Sequence, residues 1–116
     1  MSLLARVAEE PHDEDVAVAA VDGEIDASNV REIGERLRAL LSNRSVALVV
    51  DLSDVTYLDS AAINLFFELG ADLDQRQQKL VLVVPEASPI TRAIGITGLD
   101  AAVPVRSTRA RALAEV

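Results

Sequence analysis

The sequence predicts an α/β fold in which about four helices pack on a mixed, mainly parallel β-sheet of about four to five strands. Two runs, VALVVDL at 46–52 and KLVLVV at 79–84, are apolar without alternation, a pattern typical of parallel strands that are covered on both faces. The segments around them carry apolar residues at helical spacing, and strands that alternate with helices favour a parallel sheet. With 116 residues, the chain is expected to form a single domain spanning residues 1–116.

The amino-terminal part predicts two strands and an amphipathic helix. Apolar stretches at 3–9 and 16–21 flank the polar segment EPHDED, which indicates two strands joined by a turn or loop. Asp26 or Ser28 is expected to cap the following helix, because short polar side chains accept hydrogen bonds from the first helical amides. The apolar stripe of this helix is formed by Val30, Ile33, Leu37, Leu40 and Leu41.

The rest of the chain continues the alternation of strands and helices. After the strand at 46–52, the segment SDVTY is expected to cross as a loop to a second helix, which starts at Ser60 and runs to about Gln77. Pro85 ends the strand at 79–84. The remaining predicted elements are a short helix from Pro89, a short strand at 103–105 and a last helix capped by Ser107 or Thr108.

Composition and charge argue against several classes of function. The chain carries 19 acidic and 11 basic residues and a formal net charge of -8, which argues against binding along a nucleic-acid backbone. It has no cysteine, so disulfides and thiolate metal sites are excluded and a reducing compartment is expected. No signal peptide, long apolar run or clustered metal-ligand spacing is visible. We therefore predict a cytoplasmic protein without direct membrane insertion, nucleic-acid partner, metal or cofactor.

Ser60 stands in the segment TYLDSAAINLFF, at the predicted start of the second helix. It suits the role of helix cap, which Asp59 could share. A nucleophilic serine needs a base, and the single histidine, His12, lies in the acidic segment EPHDED, where a solvated side chain is expected. A phosphate acceptor also fits, because the helix dipole favours negative charge at this end. The capping and phosphate-acceptor roles both stay open, and an enzyme is not expected.

Three segments of the sequence resemble the STAS domain family, in particular its anti-sigma factor antagonists. VVDLSDVTYLDSAA at 49–62 resembles the family signature, in which a strand ending in Asp-Leu leads through a short loop to an Asp-Ser pair. DGEIDASN at 22–29 is similar to the Gly-Glu-Leu-Asp segment before the first helix, and ITGL at 96–99 is similar to a Ser-Gly-Leu exit. The segments occur in the expected order and span nearly the whole chain.

The resemblance implies a binding protein that catalyses nothing itself. Ser60 would be phosphorylated, with ATP, by an anti-sigma factor that is also a serine kinase. The unphosphorylated chain would bind this kinase and free a sigma factor, and phosphorylation would release the complex. A serine phosphatase of the metal-dependent type would reset the switch.

The expected partner-binding surface surrounds Ser60. Asp59 and the segment from Gly23 to Asp26 belong to it by resemblance. Leu65 and Leu69 fall beside the main apolar stripe of the second helix, so they are either partly exposed around Ala61 or tucked under the neighbouring helix. The full predicted set is Gly23, Glu24, Asp26, Asp59, Ala61, Ala62, Asn64 and Leu65.

The chain departs from the family pattern directly after Ser60. The family commonly continues with Ser or Thr and then Gly, whereas this chain has Ala61 and Ala62. The change removes an alternative acceptor hydroxyl, and a methyl group in place of Gly would hinder the close approach of a kinase. The alternative function is a non-switching STAS scaffold or accessory subunit of a stress-signalling assembly or a membrane transporter.

Overall fold

A sheet whose strands lie in chain order forms the centre of the structure. The computed structural model describes residues 5–10 and 15–116, and their strands are β1 (Ala5–Glu10), β2 (Val16–Ile25), β3 (Ala47–Leu58), β4 (Lys79–Val83) and β5 (Val105–Arg106). The helices in the same residues are α1 (Val30–Ala39), α2 (Ser60–Gln75), α3 (Thr91–Thr97), α4 (Leu99–Ala102) and α5 (Arg109–Leu113). β1 pairs antiparallel with β2, and the other described pairings are parallel. The predicted mixed, mainly parallel sheet is therefore confirmed.

The sheet is covered on both faces, which explains why its central strands show no alternation. In β3, Leu48 and Val50 belong to a large core with residues of α1 to α4, whereas Val49 packs into a smaller core with Ala112 of α5. Successive strand side chains point to opposite faces, so both sets have to be apolar.

β3 is longer than predicted, because the SDVTY segment continues the strand as far as Leu58 instead of forming a loop. The extension pairs with the end of β2, where Glu24 lies opposite Tyr57. Only one face of the extension is covered, so Val55 is buried while its neighbours Asp54 and Thr56 are exposed. Because of these polar residues, the segment resembles a loop in the sequence. The register shifts next to Gly23, whose φ of 101° suits a residue without a Cβ.

The carboxyl-terminal helices differ in number from the prediction. The segment predicted as one short helix from Pro89 forms two helices, α3 and α4, which are divided at Gly98 with a φ of 76°. The described residues therefore contain five helices, one more than expected. Thr108 caps α5 by accepting a hydrogen bond of 3.1 Å from the amide of Arg111, which confirms one of the two predicted caps.

An ion-pair network ties α5 to the sheet. Arg109 donates two hydrogen bonds to Glu10 of β1, at 2.8 and 2.9 Å, and two to Asp51 of β3, at 3.1 and 2.7 Å. Burial disfavours charge on Asp51, but hydrogen bonds from Ser53 and Arg109 outweigh it and hold the pKa of Asp51 below its ordinary value. The hydrogen bonds from Arg109 also lower the pKa of Glu10, so all three groups are charged at neutral pH.

Candidate functional site

Asp59, and not Ser60, caps the amino terminus of α2. The Asp59 backbone is extended, and its Oδ1 accepts a hydrogen bond of 3.0 Å from the amide of Ala62. The carbonyl oxygen of Asp59 accepts the first helical hydrogen bond, from the amide of Ile63 at 3.0 Å. Ser60 is the first residue inside the helix, one position after the cap. Of the two capping residues that the sequence allows, the structure therefore selects Asp59.

The hydroxyl group of Ser60 is exposed to solvent, and no described residue forms a hydrogen bond with it. Two other exposed serines differ in this respect, since Ser28 donates its hydroxyl hydrogen to Asp26 and Ser53 donates to Asp51. The first turn of α2 also contains no acidic or basic side chain. Ser60 thus presents an unbonded hydroxyl group at the positive end of a helix dipole.

The same Asp59 carboxylate holds the loop between β2 and α1. Its Oδ2 accepts a hydrogen bond of 3.0 Å from the amide of Ala27, and the Asp59 amide donates to the carbonyl of Ile25 at 3.3 Å. These contacts join the carboxyl ends of β2 and β3. Asp26, Asp59 and Ser60 therefore lie at one end of the sheet, although Asp26 is distant from the other two in the sequence.

Asn29 organises this loop, a role that was not predicted from the sequence. Asn29 is buried, and its Oδ1 accepts from the amide of Asp26 at 2.9 Å while its Nδ2 donates to the carbonyl of Glu24 at 2.8 Å. Hydrogen bonds from the hydroxyl and amide of Ser28 lower the pKa of Asp26. α1 begins after Asn29 without a side-chain cap, so the predicted cap by Asp26 or Ser28 is wrong. Asn at the end of DGEIDASN was the available signal, because its side chain often bonds nearby backbone groups in turns.

A groove of about 350 Å³ lies between α1 and the first turns of α2. Ala61, Asn64 and Leu65 line its α2 side, directly after Ser60 in the chain. The two helices approach closely at Gly34, where an added Cβ would lie 2.8 Å from Cδ1 of Leu65. The structure therefore brings three of the predicted partner-binding residues together in one groove.

Burial corrects two of the predicted partner contacts. Ala62 is fully buried and Leu65 is only 6% exposed, so Ala62 offers no surface to a partner and Leu65 offers little. Both side chains belong to the main core, because the buried stripe of α2 is wide enough to contact the sheet and α1. Leu69 is also fully buried. The alternative in which Leu65 and Leu69 are tucked under neighbouring elements is the one that the structure bears out.

Gly23 and Glu24 lie where β2 meets the extension of β3. The carbonyl oxygen of Gly23 accepts a hydrogen bond of 3.4 Å from the hydroxyl of Thr56, and the Glu24 side chain is exposed. Both residues are therefore at the same end of the sheet as Asp59. Their contact with a partner stays a prediction.

Comparison with known proteins decides the family. The family model of the STAS domain matches residues 8–112. The chain belongs to the STAS domain family. The anti-sigma-F factor antagonist RsfB of Mycobacterium tuberculosis is 32% identical to this STAS domain over 102 residues, which cover 87% of the chain and 81% of the relative. The anti-sigma-B factor antagonist of Listeria monocytogenes is 32% identical over 87 residues, which cover 75% of each protein.

The fold of this STAS domain also matches a crystal structure of an anti-sigma factor antagonist from Mycobacterium paratuberculosis. The TM-score is 0.84 at 30% sequence identity, and the match covers 97% of this chain and 93% of the other. The family resemblance that three sequence segments predict is therefore confirmed.

The described part of this STAS domain contains neither a candidate metal site nor a candidate membrane-spanning helix. Within residues 5–10 and 15–116, acidic, histidine and cysteine side chains do not gather in groups of three or more that could hold a metal ion. Over the same residues, every helix is too short or too polar to span a membrane. His12, the base that a nucleophilic Ser60 would need, lies outside the described residues.

Proposed function

We propose that this STAS domain is an anti-sigma factor antagonist that is switched off by phosphorylation of Ser60. In its unmodified state it binds an anti-sigma factor with serine kinase activity and so frees a sigma factor. Transfer of the γ-phosphate of ATP to the Ser60 hydroxyl by that kinase releases the complex. A serine phosphatase of the metal-dependent type removes the phosphate. The protein acts in the cytoplasm as a regulator and has no catalytic residue of its own.

The exposed and unbonded hydroxyl group of Ser60 carries the proposal. A kinase has to bring the acceptor oxygen close to the γ-phosphate, so a hydroxyl group that is not already hydrogen-bonded to another residue is a favourable acceptor. Because Asp59 caps α2, phosphorylation of Ser60 removes no cap. The names of two relatives, both anti-sigma factor antagonists, support the same class of function.

A phosphate on Ser60 would change the surface more than the fold. It adds about -1.5 to -2 charges at pH 7. The positive end of the α2 dipole stabilises part of this charge, so the helix tolerates the modification. The neighbouring Asp59 carboxylate is like-charged, and the local surface becomes strongly negative. A partner that packs closely around an uncharged Ser60 then loses its fit.

The two alanines after Ser60 do not cover the acceptor. Ala62 is 0% exposed, so its methyl group points into the core rather than toward an approaching kinase. Ala61 is half-buried at the side of the α1–α2 groove. The sequence-based expectation that a methyl group at position 62 hinders a kinase is therefore wrong, because this methyl group is buried. The departure from the family pattern removes a second hydroxyl and leaves Ser60 accessible.

Intact-mass measurement tests the modification. The purified chain is incubated with ATP and, in turn, with each serine-kinase anti-sigma factor that the same genome encodes. We expect one phosphate to be added and the addition to be lost in Ser60→Ala. Ser28→Ala is the matched control, because Ser28 is also exposed but donates its hydroxyl hydrogen to Asp26. This control should be phosphorylated as fully as the unchanged protein.

Binding measurements with the same anti-sigma factors test the switch. The unmodified chain and Ser60→Ala should bind with the same Kd, whereas Ser60→Asp should raise the Kd by about tenfold or more, a loss of about 1.4 kcal/mol. Equal affinity for all three forms, together with no phosphate addition, would contradict the proposal. That outcome would favour the non-switching scaffold or accessory subunit.

A further inference from the structure

An exposed apolar surface lies close to Ser60 in the chain and is not used by the proposed switch. It is formed by Tyr57, in the extension of β3, and Ile96, in α3, which are 49% and 72% exposed. Both line a groove of about 320 Å³ between the end of β3 and α3. We call these two residues and the groove the β3–α3 surface.

The exposure of two large apolar side chains at one groove is unusual for this chain. Within the described residues, four large hydrophobic side chains are exposed, and the other two, Val46 and Val116, line none of the described walls of this groove. Ile90, a buried core residue, also lines the groove, so a side chain that enters it would contact the core. Grouped exposed apolar surface of this kind marks interaction sites.

The β3–α3 surface lies close to Ser60 along the chain. Tyr57 is separated from Ser60 by two residues, Leu58 in the groove wall and the cap Asp59. The two positions lie in regular secondary structure: Tyr57 is in β3, where it pairs with Glu24 of β2, and Ser60 begins α2. A protein that covers Ser60 is therefore within reach of this groove.

Acidic side chains beside the surface define the chemistry of its partner. Glu24 lies opposite Tyr57, and Asp26 and Asp59 flank the adjoining loop. Hydrogen bonds from Ser28 keep the pKa of Asp26 low, so its carboxylate is charged at neutral pH. The whole chain carries a formal charge of -8. Arg92 lines the α3 side of the groove, so the acidic side chains are confined to the side nearer β2 and α2. The complementary surface is an apolar side chain with lysine and arginine residues on the side that faces β2 and α2.

We infer that the β3–α3 surface is a second contact for the anti-sigma factor and receives an apolar side chain from a basic patch of that partner. The inference rests on the proposed function, because the partner is the protein whose binding Ser60 regulates. The two contacts have separate tasks. The groove contributes affinity that does not depend on phosphate, and Ser60 supplies the phosphate-dependent part.

The variants Tyr57→Ser and Ile96→Ser test the inference against the anti-sigma factor that binds and phosphorylates the unchanged chain. Each is expected to raise the Kd by about tenfold, mainly through faster dissociation, because buried apolar contacts dominate binding energy. Higher salt should weaken binding of the unchanged chain, because complementary charges are screened. Val46→Ser is the matched control: Val46 is 50% exposed and precedes the opposite end of β3, so its Kd should not change.

Several results would overturn the inference. An unchanged Kd in both variants would overturn it. The proposed function would still stand in that case, provided that the anti-sigma factor binds and phosphorylates the unchanged chain. If no anti-sigma factor binds the unmodified chain, the proposed function and this inference fail together. Sedimentation showing that the variants alter self-association of the free chain would assign the surface to a contact between copies instead. If Tyr57→Ser lowers the melting temperature, Ile96→Ser, at a more exposed helical position, decides the question alone.

Discussion

Replacing Asp59 with alanine is expected to lower the free energy of unfolding by about 2 kcal/mol. One carboxylate accepts hydrogen bonds of 3.0 Å from two segments, the amide of Ala62 in α2 and the amide of Ala27 in the preceding loop. Alanine removes both acceptors at once. The start of α2 and the loop beside it would therefore lose their shared attachment.

The expected magnitude is the sum of two separable contributions. Loss of a helix cap costs about 1 kcal/mol, and loss of the hydrogen bond from Ala27 costs about 1 kcal/mol more. Asp59→Asn separates them, because its amide oxygen can still cap α2 while its NH₂ group would face another donor at Ala27. We expect a loss of about 1 kcal/mol for this variant. Ser60→Ala removes a hydroxyl that forms no hydrogen bond with a described residue, so its cost should stay within about 0.5 kcal/mol.

Urea unfolding followed by far-ultraviolet circular dichroism measures these differences. With a slope of about 1.5 kcal/mol per molar urea, a loss of 2 kcal/mol lowers the midpoint by roughly 1.3 M. Asp59→Asn should fall between Asp59→Ala and the unchanged protein. The reasoning would be refuted if Ser60→Ala shifted the midpoint as far as Asp59→Ala, since Ser60 would then be the cap and phosphorylation would disturb the helix.

Three further predictions concern residues away from Ser60. Asn29→Ala leaves loop backbone groups without partners and should lower the free energy of unfolding by about 2 kcal/mol in the same urea assay; an unchanged midpoint would contradict the role of Asn29. Gly70→Ala gains helix propensity, but its Cβ would lie 2.8 Å from Cγ2 of the stiff, buried Val103, so a net loss of about 1 kcal/mol is expected, and a higher melting temperature would refute it. Because its folded-state pKa is lowered, Asp51 stabilises the fold above its ordinary pKa of 3.8 and loses that effect as pH falls through the folded-state value. Asp51→Asn should therefore cost about 1 kcal/mol at pH 7 and progressively less as the pH is lowered below 3.8, and a cost that does not change with pH would contradict the network with Arg109.

Much of the fold was predictable because its signals are local. The buried strands at 46–52 and 79–84 each follow from a single apolar run, and a strand covered on both faces requires such a run whatever lies on either side. The extension of β3 was missed for the converse reason. Its polar residues are typical of a loop as well as of a strand with one open face, and only pairing with β2 distinguishes the two.

The candidate site was predictable in position but not in detail. The segment around Ser60 was recognisable as a family signature, since its residues are contiguous. The partner of Asp59, the amide of Ala27, is far away in the sequence, so no periodicity reports that hydrogen bond. The burial of Leu65 was equally undetermined, because it depends on how closely α1 approaches at Gly34.

The sequence by itself determined the family, the order of the main strands and helices, and the placement of a serine at the start of α2. These features depend on residue type and spacing within short segments. Only the tertiary structure decided that Asp59 takes the cap and leaves the Ser60 hydroxyl unbonded, and that Tyr57 and Ile96 share one groove. Each of these depends on which groups from distant segments meet, and that is set by how the helices pack on the sheet.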